Sequence, residues 1–159
     1  KYYNKYSEVL VKNADGIDLR QGCHDIVIEN ITGFTEDDSI ALTGLNGNLE
    51  KTFAVKGLCK DIRNVEIKNI RSSAFCSIVR LLNQDGIKLH DVNINGVYDT
   101  SYDSPYMDKG LYAVRVGDTH LYGTTPATEN DTYNVTIKNA RGGGESVISL
   151  AGVIKNLVN

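Results

Sequence analysis

A short apolar pattern that ends in Asn or Asp returns six times along the chain, and it constrains the fold more than any other feature. Each copy reads apolar, any residue, apolar, any residue, Asn or Asp, apolar, and only Gly152 departs from it. The copies are VLVKNA (9–14), IVIENI (26–31), VEIKNI (65–70), IKLHDV (87–92), VTIKNA (135–140) and GVIKNL (152–157). One such strand has too little apolar surface to fold alone, whereas stacked copies bury a continuous core. The sequence therefore predicts a repetitive, all-β architecture.

The distances between the copies suggest how they stack. Their starts are 17, 39, 22, 48 and 17 residues apart. The short steps fit one turn of a right-handed, single-stranded parallel β-helix of roughly 20 residues per coil, and the long ones leave room for surface loops. About six coils are expected. The Asn or Asp of each copy would form one column at a sharp bend, because these residues tolerate the left-handed backbone conformation. The members of that column would be Asn13, Asn30, Asn69, Asp91, Asn139 and Asn156.

A second apolar strand follows in most copies. It reads DGIDL (15–19), DSIAL (38–42), SIVRL (77–81), YAVRV (112–116) and SVISL (146–150). Because successive side chains of a strand point to opposite faces of the sheet, these segments predict two inward columns. The first is Ile17, Ile40, Val79, Val114 and Ile148, and the second is Leu19, Leu42, Leu81, Val116 and Leu150. Between them, Asp18, Ala41, Arg80, Arg115 and Ser149 would face outward, and Asp15, Asp38, Ser77, Tyr112 and Ser146 would lie one step earlier.

Composition limits the class of protein. The 159 residues are expected to form one β-helix domain, 1–159, within a longer chain that carries a signal for secretion or export to the periplasm. A net charge of −3 argues against a nucleic-acid partner, and no apolar run is long enough for a membrane span. The three cysteines lack metal-ligand spacing and are interpreted as buried thiols, with one bonded pair as the alternative. No metal and no cofactor is expected.

Acidic residues gather at the starts of the first two of these second strands. Asp15 and Asp38 share a column, so their backbones would lie about 4.8 Å apart, and Asp37 adjoins them. Like charges this close raise at least one pKa, which suits a proton donor beside a base. The competing interpretation is a set of Asp residues that cap turns.

The segments NADGID (13–18) and EDDSIAL (36–42) resemble the N-T-D-G-I-D and G-D-D-C-I-A-I signatures of glycoside hydrolase family 28, the polygalacturonases and their relatives. That resemblance implies a pectin-lyase-like β-helix that hydrolyses glycosidic bonds with inversion. It would make Asp37 the general acid, and Asp15 and Asp38 the residues that activate water. The family's G-H-G falls on Ser73 to Cys76 without a His, and its R-I-K keeps only Arg115.

Several other residues are candidates for substrate binding. Arg80 and Arg115 share the outward column and could hold a uronate or a sulfate together, although each could equally be a solvated surface side chain. Tyr-rich residues 95–134 are expected to form one inserted loop region, in which Tyr112 and His120 could contact sugar. Asn13 is the last candidate, although the bend column alone would explain it.

These features together favour a glycoside hydrolase that acts on a polysaccharide or oligosaccharide, with a uronate-containing glycan as one candidate. Two alternatives stay open. The first is a non-catalytic carbohydrate-binding β-helix of the adhesin or tailspike type. The second is a calcium-dependent polysaccharide lyase, in which the acidic cluster would bind metal.

Overall fold

The protein is built almost entirely of short β-strands in two parallel sheets. The computed structural model describes residues 15–159, so the repeat copy at 9–14 and the candidate Asn13 lie outside the described residues. The strands are β1 (Ile17–Arg20), β2 (His24–Glu29), β3 (Thr32–Thr35), β4 (Ile40–Gly44), β5 (Ile62–Ala74), β6 (Ser77–Asn83), β7 (Leu89–Asp99), β8 (Tyr112–Val116), β9 (Thr132–Arg141), β10 (Ser146–Leu150) and β11 (Lys155–Val158). One short helix, α1 (Asn48–Phe53), lies between β4 and β5.

The chain adds strands to the two sheets in alternation. The first sheet has the order β1-β4-β6-β8-β10, and the second has the order β11-β9-β7-β5-β2, with β3 also paired to β5. Every pairing between these strands is parallel. The apolar core therefore lies between two sheets whose successive strands come from successive parts of the sequence.

The first sheet has the predicted register. Ile17 pairs with Ile40, Ile40 with Val79, and the same columns continue through β8 and β10. The inward residues of the three central strands are almost fully buried, and those of β1 and β10 are more accessible because they have a neighbour on one side only. At the outer edge Leu150 is 53% exposed, so its predicted burial is wrong.

The second sheet corrects the prediction of a single Asn/Asp column. Its register pairs Val65 with Val92 and Val92 with Val135, so Asp91 does not align with Asn69. Two separate ladders of bends result. One contains Asp25, Asn64, Asp91, Asn134 and Asn156, and the other contains Asn30, Asn69, Gly96 and Asn139. All nine have positive φ, between 51° and 79°, which is the left-handed conformation that Asn, Asp and Gly tolerate best.

Hydrogen bonds between side chains link these ladders from strand to strand. In the first, the Asn134 amide donates to Asp91 at 2.9 Å and the Asn156 amide donates to Asn134 at 3.0 Å. In the second, the Asn69 amide donates to Asn30 at 2.6 Å. The bends thus repeat for a structural reason, as the sequence indicated, but they repeat twice in each strand region rather than once.

The segment 95–134 is not one inserted loop. It includes the end of β7, all of β8 and the start of β9, so it contains two loops, 100–111 and 117–131. Both follow strands, and the second begins beside the outward Arg column of the first sheet. Within residues 15–159, no helix has the length and apolar character needed to cross a membrane.

Candidate active site

Three carboxylates converge where β1 and β4 begin. The pairing of Ile17 with Ile40 places Asp15 beside Asp38, and Asp37 adjoins them. One oxygen from each of the three lies within 4.8 Å of the others. Gly16 permits this close approach, because a Cβ at that position would lie 2.6 Å from the Ser39 carbonyl oxygen. The structure therefore brings together the three residues that the sequence singled out.

The two aligned carboxylates have environments that favour their protonated forms. Asp38 is only 2% exposed, and this burial raises its pKa to about 6. The Arg80 guanidinium, 3.6 Å away, and the neighbouring Ser77 side chain offset part of that effect, and the Ser77 N–H also donates to Asp38 at 2.8 Å. Burial also raises the pKa of Asp15, which accepts the Asp38 N–H at 3.1 Å. The cluster can therefore hold a proton at mildly acidic pH.

Cys76 is a member of the site that the sequence did not single out. The Cys76 N–H donates to the Asp37 carbonyl at 3.4 Å, and burial together with the neighbouring Asp37 carboxylate raises the pKa of the thiol to about 12. It occupies the stretch in which the resemblance expects a His, so a poor proton donor stands beside Asp37. All three cysteines are free, and Cys59 is exposed while Cys23 is half-buried. The bonded pair and the uniform burial expected for the thiols are thus both wrong.

The two outward arginines are engaged by a carboxylate from the second loop. Arg80 and Arg115 lie in register on β6 and β8, as predicted. Asp118 bonds to both, through Arg80 Nη2 and, at 3.2 Å, through Arg115 Nη2. The His120 N–H also donates to Asp118 at 2.9 Å, and only 6% of the Asp118 side chain is exposed. The sequence could have indicated Asp118, because it lies three residues after Arg115 and two residues beyond the end of β8.

Aromatic rings border this ionic cluster. The guanidinium of Arg115 lies 5.2 Å from the centre of the Tyr112 ring, and that of Arg80 lies 5.6 Å from the centre of the Tyr122 ring. The His120 ring meets Tyr122 edge-on, at 4.5 Å between centroids. Two of the predicted substrate-binding residues, Tyr112 and His120, therefore lie on the same outer face as Arg80 and Arg115.

The charges and distances of this surface restrict its chemistry. If every carboxyl is ionised, the aspartates at 15, 37, 38 and 118 and the two arginines give the cluster a formal charge of −2, and one bound proton reduces it to −1. The nearest oxygens of the three carboxylates lie within 4.8 Å of one another. In inverting glycosidases the two carboxyl groups are usually roughly 6.5–9.5 Å apart. The same three carboxylates supply the oxygen ligands that Ca²⁺ prefers, so they could hold a cation.

Comparison with known proteins adds no relative. The chain matches no protein-family model, no curated protein and no solved structure. The similarity to glycoside hydrolase family 28 therefore rests on the residues of the two short segments alone.

Proposed function

We propose that the protein is a right-handed parallel β-helix that hydrolyses glycosidic bonds in a polysaccharide. The chain alternates between two parallel sheets, and in most turns it adds one strand to each sheet. This arrangement supports the proposed fold. Right-handed crossovers are the rule between parallel strands. The convergence of Asp15, Asp37 and Asp38 is the observation on which the activity rests. Polysaccharides of this kind lie outside cells, so we also propose that the protein is secreted or periplasmic.

The proposed reaction uses the cluster as an acid and a base. A water oxygen attacks the anomeric carbon, and the bond from that carbon to the glycosidic oxygen breaks. Asp37 gives its proton to the departing oxygen, and Asp15 or Asp38 takes a proton from the water. The role of Asp37 follows the family resemblance, whereas the raised pKa values belong to its two neighbours.

A screen for reducing-sugar release on neutral and uronate-containing polysaccharides tests the proposal. Asp37→Asn should abolish release, while Glu66→Gln should leave it unchanged because Glu66 is a partly exposed residue on the second sheet, paired with Lys68. An aryl glycoside with an acidic phenol as leaving group separates the roles, since it needs little protonation. Asp37→Asn should retain activity on that substrate, and the double variant Asp15→Asn/Asp38→Asn, which removes both candidate bases, should not. Activity of Asp37→Asn on the polysaccharide would refute the assignment of the acid.

The same experiment also determines the stereochemistry. Direct attack by water, as proposed, inverts the configuration of the anomeric carbon. The anomer that forms first, followed by NMR, shows whether inversion occurs. A retained configuration would refute direct attack by water and would instead indicate a covalent intermediate on one of the carboxylates, whose nearest oxygens lie within 4.8 Å of one another.

The ionic cluster favours a neutral sugar at the subsite beside Arg80. A uronate would meet a surface of net negative charge and would have to displace Asp118 from two guanidinium groups. Asp118→Ala should therefore increase kcat/KM for a uronate-containing glycan relative to a neutral one, by roughly tenfold, because the freed Arg115 guanidinium can then form a charge-assisted hydrogen bond with the uronate. Adding Arg115→Ala to that variant should reverse the increase. An unchanged ratio in Asp118→Ala would show that the arginines do not face the substrate.

A calcium-dependent lyase is the second candidate, because three carboxylate oxygens lie within 4.8 Å of one another. A lyase would need Ca²⁺ and would leave an unsaturated sugar that absorbs in the ultraviolet. Loss of activity with a chelator, together with that absorbance, would replace the hydrolase proposal. Binding to a polysaccharide without any release would instead indicate a non-catalytic binding protein of the adhesin or tailspike type.

A further inference from the structure

A cavity of about 620 Å³ lies at the end of β1 that is remote from the acidic cluster. It is bounded by the turn from β1 to β2 and by the segment that follows α1. Gly22, at φ 87°, forms the turn, and its N–H donates to the Lys60 carbonyl at 2.9 Å. Five residues of extended chain separate Asp15 from Arg20, so the cavity lies about 16 Å from the carboxylates. Its volume is in the range of small-molecule sites, roughly 300–1,000 Å³.

Polar atoms in the wall of this cavity lack partners. Among residues 15–159, both amide atoms of Gln21 and the Nη1 of Arg63 are buried without a hydrogen bond. Buried polar groups are nearly always paired, since an unmet donor or acceptor destabilises the folded state. Both side chains line the cavity. Because these three atoms are shielded from solvent, an occupant can pair with them only after the Gln21 and Arg63 side chains turn toward the cavity.

The charge of the wall is positive once internal pairs are considered. Arg20 is already paired with Asp18 at 2.6 Å and with Glu50 at 3.4 Å. Among the described residues, Lys60 donates to the neutral Asn46 amide at 3.0 Å and pairs with no carboxylate, and Arg63 keeps an unused donor. Two cationic side chains in the wall are therefore not neutralised by the carboxylates around them.

The opposite wall is apolar and open to solvent. Val55 is 63% exposed and Leu58 is 66% exposed, and Ala54 and Cys59 lie beside them. Burial of this surface contributes about 25 cal/mol per Å², so a ligand with an apolar body gains more here than a bare ion.

We infer that this cavity binds a small organic anion that combines a carboxylate, a hydroxyl group and an apolar body. The carboxylate lies between Arg63 and Lys60, the hydroxyl group donates to Gln21, and the apolar body covers Val55 and Leu58. This site is separate from the proposed catalytic surface, and no step of the proposed hydrolysis depends on it.

Protection of Cys59 against alkylation tests the site in the intact protein. Cys59 is exposed and lines the cavity, so an occupant should slow its reaction with N-ethylmaleimide, followed by peptide mass spectrometry. The probe is 4-hydroxybenzoate, and 4-hydroxybenzamide is its neutral counterpart. The carboxylate should slow modification of Cys59 several-fold at millimolar concentration, and the amide should have little effect.

Two variants locate the charge that matters. Arg63→Gln should weaken the protection by roughly tenfold or more in probe concentration, because it removes a charge-assisted contact. Arg71→Gln is the matched control, since Arg71 lies on the same strand but stacks on Tyr98, at 4.5 Å from the ring centre. The inference is overturned if 4-hydroxybenzoate gives no protection, if the amide protects equally, or if Arg63→Gln retains full protection.

Discussion

Substitution of Asp38 by Asn should stabilise the protein at neutral pH. Burial of the Asp38 carboxylate raises its pKa from 3.8 to about 6 even with Arg80 nearby. A carboxyl with a raised pKa in the folded state contributes stability below its unfolded pKa, and that contribution is lost as the pH rises through the folded value. Asn has the same size, and its amide oxygen can still accept the N–H of Ser77. It removes only the charge that the folded protein accommodates poorly.

The magnitude follows from the size of the shift. A difference of about two pKa units corresponds to about 3 kcal/mol of unfolding free energy, at about 1.4 kcal/mol per unit. Above pH 7 that amount is the upper limit of the gain in Asp38→Asn, because its amide N–H₂ now faces the Arg80 guanidinium. Below pH 4 both side chains are neutral, and the gain should disappear.

Urea unfolding followed by circular dichroism at pH 4, 5, 6, 7 and 8 would measure this effect. The difference in unfolding free energy between the variant and the parent should grow from pH 4 to 7 and then level off. Glu66→Gln is the control, and its difference should stay small across the series because Glu66 is partly exposed and makes only a surface ion pair. A gain that is independent of pH, or an Asp38→Asn variant that is less stable at pH 8, would refute the argument from burial.

Two further substitutions test the electrostatics and the bends. The N–H groups of Thr124 and Thr125 donate to Asp85 at 2.7 and 2.9 Å and lower its pKa to about 2. Asp85→Asn should therefore destabilise the protein at pH 7, by an amount that shrinks as the pH falls toward 2 in the same urea series. A loss of stability that did not change with pH would mean that the charge of Asp85 is irrelevant. Asn69 has φ 51° and donates to Asn30, so Asn69→Ala should lower the unfolding free energy, measured by urea unfolding, by about 1–3 kcal/mol. Asn69→Gly should lower it less, because glycine adopts this conformation freely. The reverse order of the two variants would contradict a left-handed bend.

The first sheet was predictable from the sequence because its signal is local and periodic. Inward apolar residues alternate with outward ones in each strand, and a slip of one residue would expose the whole apolar set. The alignment of Ile17, Ile40 and Val79 follows directly from that constraint.

The second sheet was predictable only in part, because its bends come in pairs five residues apart. The segments DIVIEN (25–30), NVEIKN (64–69), DVNING (91–96) and NVTIKN (134–139) have a bend at both ends of one apolar pair. A pattern that records only the later bend also fits IKLHDV (87–92), in which Asp91 is the earlier bend. The true register requires both ends, and Gly96 conceals one of them because it replaces Asn with a residue of similar backbone freedom.

The partners within the site were predictable only in part. Asp15, Asp37 and Asp38 were predictable since they lie in aligned strands. Cys76 lies 39 residues after Asp37, the same offset that pairs Ile40 with Val79, so the predicted register already places Cys76 beside Asp37. The alignment alone does not show that burial raises the pKa of the Cys76 thiol.

Asp118 shows how one residue beyond a strand can reverse an electrostatic interpretation. The outward column alone places two unpaired guanidinium groups beside the carboxylates, which favours an anionic sugar. The chain turns immediately after β8, and Asp118 returns to bond both Arg80 and Arg115. With every carboxyl ionised, Asp118 lowers the formal charge of the cluster from −1 to −2 and occupies guanidinium donors that an anionic sugar would otherwise bind. The preference of this surface therefore depends on a loop residue rather than on the repeat that builds the sheet.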